Sequence, residues 1–549
     1  MYIETRSGTF LSQLKYKGYW AILLTLFLVA YNVNVIPAIM PRIVLGFDSS
    51  IGQIQDILIL FSLVTASFAP TVENLCFFFG RTYVFSIGLG LYGIGIIMTF
   101  LSPSTATLAV SFAIVTGLGA TPLVSTPWAI VDLLYDDDLK IRAILGLIVF
   151  SVLGGLSGGL LGGFIASQTN WRFSFLPSLF VLVAVWLLRR SLPKLVVRSQ
   201  QSIDWVGGLL SFLGLASILT GLSLAGEFGW WEPKRIFSVA GVVIPPFAVS
   251  ITPILIVVGV IFLGLFAYWQ RHQADRGKAS LLRVGLLRRL EFVLGLLAAL
   301  LHTLVVTGVQ FNLFQFVPLA MSLNPFRTAL TIIPYHVAMV LTLVAVLRFL
   351  VLSNRIAPKH IVCSGIVLVI IGLTVLYTSL HLQVTPLEIM PGLILMGIGS
   401  GLFSAYISPL TFSAATARDQ TQCPGIFNPV QDLGSSLGRG ILGTSLLFFA
   451  SQKIVDSVLQ EWGKALSPLQ RIEVINQLQE ILQTFSREEV RTLLRDKVPP
   501  SVKPLLPSIS LEAGATGIRS TLLIAIGLAV VCLLLAANLP KYPYCRRVE

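Results

Sequence analysis

Residues Leu153–Phe175 have the sequence LGGLSGGLLGGFIASQTNWRFSF, in which glycine pairs recur every four residues. The pairs are Gly154-Gly155, Gly158-Gly159 and Gly162-Gly163. A four-residue repeat places the pairs on one face of an α-helix, as two adjacent stripes without side chains. Such stripes allow the backbone of a neighbouring helix to approach closely inside a membrane. The pattern predicts a spanning helix whose glycine face serves either static packing or a smooth contact along which two helix bundles rock.

The rest of the chain has the composition of a membrane protein. Of its 549 residues, 55% are hydrophobic and 11% are charged, whereas soluble proteins have about 25% charged residues. Apolar stretches long enough to cross a bilayer recur about fourteen times, from 18–40 to 517–539. This composition excludes a soluble enzyme and a disordered chain. We expect an all-α integral membrane protein with about fourteen transmembrane helices.

The net charge of +13 indicates orientation in the lipid bilayer rather than affinity for nucleic acid. If the N-terminus is cytoplasmic, about 23 Lys and Arg residues lie in inner segments and about 5 in short outer loops, as the positive-inside rule requires. We therefore expect a multi-pass monomer in a bacterial inner membrane, with both termini cytoplasmic. No nucleic-acid partner, cofactor or metal is expected.

Several motifs resemble one transporter family. The Leu153–Phe175 stretch is similar to the fifth-span motif of the major facilitator superfamily, followed by a Trp-Arg-aromatic-x-Phe tag of its fourteen-span drug/proton antiporter branch. Further similar stretches follow in the family's order: Gly117–Ala120 with Pro122, Asp204–Gly207, Leu281–Phe292, Arg355–Lys359, and Gly425–Gly443 with Gly434 and Gly438. The resemblance implies two pseudo-symmetric six-helix bundles, two inserted helices, and alternating access around a site at the membrane midplane.

The resemblance also implies a division of the chain into segments. The boundaries are 1–17 for a cytoplasmic N-terminus, 18–190 for the N-terminal bundle, 191–270 for a linker and two extra helices, 271–290 for a basic cytoplasmic loop, 291–450 for five helices of the C-terminal bundle, 451–516 for an outer amphipathic helical loop, 517–539 for the last transmembrane helix, and 540–549 for a cytoplasmic tail.

The outer loop at 451–516 contains two sequence signals for helix starts. Ser467-Pro468 with Gln470 marks one, and Ser486 with Glu489 marks another. Apolar residues at helical spacing follow the first start. We expect a small helical cap, which is either solvated or a docking site for a partner protein or the membrane surface.

The chain departs from the family where protons are usually handled. The loop between spans two and three keeps Gly80 and Arg81 but lacks the usual aspartate, for which Glu73 is a displaced candidate. Asn32 and Ala113 stand where the resemblance implies an acidic residue and an arginine. Any proton coupling must therefore use other groups. The candidates are Glu73, Asp132, Asp432 and His302.

Polar residues within the apolar spans are candidates for a solute cavity, because such side chains usually face water or a partner. Arg439 shares a helix face with Asp432, and we expect it to bind an anionic solute group or to neutralise a carboxylate. Gln310, Asn312 and Gln315 form a polar flank on span nine that would suit hydrogen bonding to polyols. The full set is Asn32, Asn34, His302, Gln310, Asn312, Gln315, Tyr335, His336, Tyr406 and Arg439.

The expected function is alternating-access export of a small organic solute, drug-like or amphipathic, with protons as the candidate coupling ion. One alternative is a sugar or glycoside facilitator or exporter without standard proton coupling. Another is a transport-inactive sensor or assembly protein. Because the sequence contains no P-loop or HExxH motif, we do not expect an enzyme.

Overall fold

The computed structural model describes most of the chain as α-helix. The described residues are 17–135, 137–192, 204–229, 231, 238–239, 242–243, 249–276, 284–321, 323–346, 348, 356–381, 384–415, 423–463, 466–484 and 502–541.

The N-terminal bundle contains helices α1 to α6. Their bounds are Lys17–Phe47 for α1, Ile51–Phe79 for α2, Arg81–Phe100 for α3, Thr105–Leu108 and Gly117–Leu134 for the two parts of α4, Asp137–Gln168 for α5, and Leu176–Leu188 for α6. A π-helical segment, Ala109–Thr116, joins the two parts of α4. The Trp171–Phe175 tag forms a 3-10 turn before α6.

Two inserted helices and the C-terminal bundle follow. The bounds are Trp205–Phe228 for α7, Ser238–Val239 for β1, Val242–Val243 for β2, Ile251–Asp275 for α8, Leu290–Met321 for α9, Pro325–Ala345 for α10, Pro358–Ser379 for α11, Pro386–Phe412 for α12, Cys423–Trp462 for α13, Pro468–Thr484 for α14 and Leu506–Ala536 for α15. Strands β1 and β2 pair as a short antiparallel hairpin.

Within the described residues, 13 helices are long and apolar enough to cross a membrane. Helix α7 contributes a shorter apolar stretch, Trp205–Gly221. The expected all-α membrane architecture with about fourteen spans is thus confirmed.

The two glycine stripes of α5 face different neighbours. Gly154, Gly158 and Gly162 lie against α1, where a Cβ at Gly158 would overlap the carbonyl oxygen of Tyr31. On the other stripe, a Cβ at Gly163 would lie 2.9 Å from the Pro325 carbonyl oxygen of α10. Gly159 faces α9 and α10, and Gly155 faces the Asn34 side chain. One stripe therefore packs within the N-terminal bundle, while the other contacts the C-terminal bundle.

Gly434 and Gly438 of α13 repeat the intrabundle arrangement in the second half of the chain. They lie against the backbone of α9 at Leu300 and Leu304. These glycines allow α9 and α13 to approach closely, as α1 and α5 do in the first bundle.

The inserted pair α7–α8 is held together by Asp204. Its carboxylate accepts hydrogen bonds from Trp269 Nε1 at 2.9 Å and from Gln270 Nε2 at 2.7 Å, both on α8. Helix α7 packs on α2 of the first bundle, with Phe212 against Phe68, and also on α13 of the second. The pair therefore lies along the line where the two bundles meet.

The outer loop differs from the expected boundaries. Helix α13 continues beyond residue 450 to Trp462, and the last helix begins at Leu506. The extension is stable because Val455 packs with Ile475 and Leu478 of α14. Ser467 and Gln470 hydrogen-bond each other at the start of α14, which confirms that predicted helix start. The second predicted start, at Ser486 and Glu489, lies outside the described residues.

Helix α14 packs against the beginning of α2 as well as against α13. We call the side of the molecule that carries α14 and the α1–α2 turn the cap face, and the other side the opposite face.

Candidate functional site

A cleft lies between the two bundles in the half of the molecule nearer the opposite face. The cleft is narrow and partly open to solvent. Helices α2 and α4 of one bundle and α13 of the other supply its walls. The lining residues are Thr65, Ala69, Glu73, Thr121, Val124, Ser125, Gly425, Asn428, Pro429 and Asp432.

The cleft contains polar groups without protein partners. Ser125 Oγ and Asn428 Nδ2 are buried and have no hydrogen-bond partner in the described part of the chain. The half-buried Asp432 carboxylate likewise has no hydrogen bond or ion pair among those residues. A buried polar group without a partner costs about 1–3 kcal/mol. A solute or water that supplies a donor and an acceptor would remove this cost.

Glu73 forms an ion pair at the rim of the cleft. Its two carboxylate oxygens accept from Arg81 Nη1 at 3.2 Å and Nη2 at 2.7 Å. The turn at Gly80, with a φ of 92°, brings α3 back so that Arg81 faces Glu73. Glu73 therefore does supply the displaced carboxylate that the sequence indicated. It also lies beside Gly425, near the start of α13 in the other bundle.

Arg439 lies closer to the cap face than the cleft does, and it joins the two bundles. Its Nη1 donates to Leu58 O at 3.3 Å and to Ser62 Oγ at 3.2 Å, both on α2. In return, Gln55 Nε2 of α2 donates to the Arg439 carbonyl at 2.8 Å. Within the described residues, the hydrogen-bond acceptors of Arg439 are uncharged.

Helices α5 and α10 also join the two bundles in the cap-face half, at a place remote from the α2–α13 contact. The Phe164 and Phe326 rings meet edge to face, with centroids 5.3 Å apart. Gly163 allows α10 to approach at the same level. The α2–α13 and α5–α10 contacts therefore join the two bundles in the cap-face half.

The predicted polar residues of α1 lie inside the N-terminal bundle. Asn32 is fully buried and donates to Tyr92 Oη of α3 at 2.9 Å and to Leu28 O at 3.1 Å. Asn34 is half-buried and donates to Ala30 O at 2.9 Å. Neither residue lines the cleft in this conformation.

The three polar residues of the proposed flank on α9 do not form one surface. Asn312 is buried and donates to Leu442 O of α13 at 3.0 Å. Gln315 is half-buried with its Nε2 atom unpaired among the described residues, and Gln310 is half-buried. Because Asn312 is engaged inside the bundle, the three amides do not present a continuous face.

The predicted histidines and tyrosines lie within the C-terminal bundle. The His302 ring stacks on Phe403 at 4.0 Å, and its buried Nε2 has no partner in the described part of the chain. Tyr335 Oη donates to Met339 Sδ at 3.6 Å, and His336 meets the Tyr335 ring at 5.0 Å. Tyr406 is half-buried.

Two predicted residues have no described side chain. Asp132 lies in α4, but its side chain is outside the described residues, as is the whole of Arg355. Of the predicted residues, the structure brings Glu73 and Asp432 together in the cleft.

Three residues of the bundle interface and the cleft were not predicted from the sequence: Gln55, Ser62 and Ser125. A signal existed for the first two, because Gln55, Ser62 and Ala69 recur at seven-residue steps on one face of α2.

The sequence and fold were compared with those of known proteins. The Major Facilitator Superfamily model matches residues 22–438. A probable actinorhodin transporter of Streptomyces coelicolor is 28% identical over 305 residues, which is 54% of this chain and 49% of that protein. Multidrug resistance protein Stp of Mycobacterium tuberculosis is 23% identical over 432 residues, 78% of this chain and 75% of that protein.

The fold itself has solved neighbours. A bacterial homologue of the human lysosomal transporter Spinster superposes with a TM-score of 0.56 at 14% identity, over 97% of this chain and 98% of that one. The family match over most of the sequence agrees with the bundles, the inserted pair and the cleft between them. This multi-pass membrane protein therefore belongs to the Major Facilitator Superfamily.

Proposed function

We propose that this protein exports a small organic solute by alternating access, with the cap face outside the cytoplasm. The observation that carries the proposal is the asymmetry of the bundle interface. The cleft lies in the half nearer the opposite face, whereas the α2–α13 and α5–α10 contacts join the bundles in the cap-face half. This is the arrangement expected of a transporter that is open to one side and closed to the other.

The proposed solute is drug-like or amphipathic. Support comes from the lining of the cleft, where apolar side chains alternate with an unpaired carboxylate, a hydroxyl and an amide. Such a mixture suits an organic molecule with a few polar groups. The relatives named as a multidrug resistance protein and an actinorhodin transporter also support this class. The sugar alternative loses its supporting feature, because the α9 amides form no continuous flank.

Protons are the proposed coupling ion, and Asp432 and Glu73 are the proposed coupling groups. Both are carboxylates in a cleft that solvent reaches from one side. Asp132 and His302 remain candidates from the sequence.

Transport by the purified protein tests this function. We would reconstitute the chain in proteoliposomes and measure uptake of a panel of fluorescent aromatic solutes, with and without an imposed pH gradient. Saturable uptake that the gradient accelerates is expected, and Asp432→Asn should remove the acceleration. Glu512→Gln is the matched control, because Glu512 pairs with Lys453 at the cap face, outside the cleft. Lack of saturable uptake of any solute would favour the sensor or assembly alternative.

Orientation has a separate test. Single cysteines placed at Gln168 and at Arg190 lie at opposite ends of the α5–α6 pair. In intact cells, a membrane-impermeant thiol reagent should label the first site alone. Labelling of the second site instead would reverse the proposed orientation.

A further inference from the structure

We propose that Arg439 is a two-state latch, bonded to α2 while the cap-face half is closed and to Asp432 when it opens. This inference rests on the alternating access proposed above, and it makes the charge on Asp432 the quantity that sets the conformation.

The closed state of the latch is visible in the structure. Arg439 is 5% exposed, and its guanidinium donates to Leu58 O and Ser62 Oγ across the bundle interface. These acceptors belong to α2 and move with the N-terminal bundle. Opening the cap-face half must separate α2 from α13, so Arg439 must lose both bonds. In the open state the guanidinium then needs other hydrogen-bond acceptors.

Asp432 is placed to replace those acceptors. It lies two helical turns before Arg439 on the same face of α13, which is about 10 Å along the axis. Helical side chains lean toward the N-terminus, and Arg439 Nη2 already reaches back to Ser435 Oγ at 3.0 Å. The Arg439 side chain therefore extends toward Asp432, and the carboxylate has no hydrogen bond among the described residues that would compete.

The groups that face Asp432 define the charge balance. These are Glu73 of α2 and its partner Arg81 of α3. The described α4 side chains that line the cleft are uncharged. Helix α7 has no charged residue among its described side chains, and His302 of α9 stacks on Phe403 of α12. Because Glu73 is already paired, Asp432 is the carboxylate available to Arg439.

The direction of coupling follows from this exchange of partners. A charged Asp432 attracts Arg439 and favours opening at the cap face. A neutral Asp432, protonated from outside, releases Arg439 to α2 and favours closure. The proton is then carried to the opposite face and leaves into the water of the cleft. This order of events is that of an exporter driven by inward proton movement.

Amide hydrogen exchange of the full chain in nanodiscs tests the latch without any solute. The readout is exchange in peptides from the cap-face halves of α2 (51–62) and α13 (439–450). Arg439→Gln should raise exchange there about fivefold, the change expected from the loss of about one net hydrogen bond. Asp432→Asn should lower exchange, because Arg439 loses its alternative partner. The double variant should behave like Arg439→Gln.

Two further variants cover the cases in which the first substitutions give no measurable change or do not fold. If the wild-type exchange is too slow for a decrease to be measured, Asp432→Asn is compared in a Gln55→Ala background, where one cross-bundle bond is absent. If Arg439→Gln does not fold, Ser62→Ala removes an acceptor on α2 instead. Arg519→Gln is the matched control, since Arg519 contacts the Tyr377 ring away from α2 and should leave exchange unchanged.

Opposite signs for Asp432→Asn and Arg439→Gln support the latch. An increase with Asp432→Asn, or no change in the Gln55→Ala background, overturns it, because a static structural arginine has no reason to respond in that way. A shift in exchange together with absent flux would contradict the proposed function while leaving the latch intact.

Discussion

Glu73 and Arg81 form a bidentate ion pair across the sharp turn that joins α2 to α3, with Glu73 Oε2 and Arg81 Nη2 2.7 Å apart. Both side chains are largely buried. Glu73 also contacts the beginning of α13, so the pair lies where the two bundles meet beside the cleft.

Glu73→Gln should lower the free energy of unfolding by about 2 kcal/mol, because it removes a bidentate, charge-assisted pair from a largely buried guanidinium. Thermal unfolding in detergent measures the change as a lower Tm. Glu388→Gln provides the control, since its pair with His381 is about half exposed and should contribute little. Equal effects of the two substitutions would contradict the structural role assigned to Glu73.

The two glycine stripes of α5 should respond differently to alanine. Gly158→Ala places a Cβ on the Tyr31 carbonyl and should lower both the yield of folded protein and its Tm. Gly163→Ala affects the contact with α10, so we expect normal folding with a transport rate at least about tenfold lower, about 1.4 kcal/mol in the barrier. Gly90→Ala is the control, because a Cβ at Gly90 has no neighbour within 4 Å.

The attachment of the cap should depend on its apolar contact more than on its ion pair. Ile475→Ala removes a side chain that is 4% exposed and should cost about 2–3 kcal/mol of local stability. Arg471→Gln breaks a bidentate pair with Asp456, but both partners are more than a third exposed, so we expect a much smaller effect. The rate of limited proteolysis around residues 463–467 measures both. Ile472→Ala, at a position 55% exposed, should have no effect.

Asp204→Ala should loosen the inserted pair. The substitution removes the acceptor of Trp269 Nε1, Gln270 Nε2 and the Gly207 amide, and leaves these donors in a largely buried site. Faster amide exchange in α7 and α8, with α9 and α13 unchanged, is the expected result. Asp275→Asn, at an exposed position near the end of α8, serves as the control. A uniform increase across the whole chain would mean that Asp204 supports global folding instead.

Sequence alone determined the class of protein and much of its architecture. Hydropathy requires spanning helices wherever about twenty apolar residues follow one another, and this is why the spans and the glycine-rich helix were predicted. The Ser467–Gln470 helix start was also predictable, because capping depends on residues only a few positions apart.

The tertiary structure alone decided which partner each polar group has. Asn312 was predicted on a solute-facing flank, yet it bonds to Leu442 far away in sequence. The sequence places Arg439 on one face of its helix, but only the fold shows that this face meets Leu58 and Ser62 of the other bundle. The periodicity of a sequence determines on which side of a helix a residue lies. It does not determine which other helix packs against that side. That choice depends on how the two bundles pack, which is set by contacts between residues hundreds of positions apart.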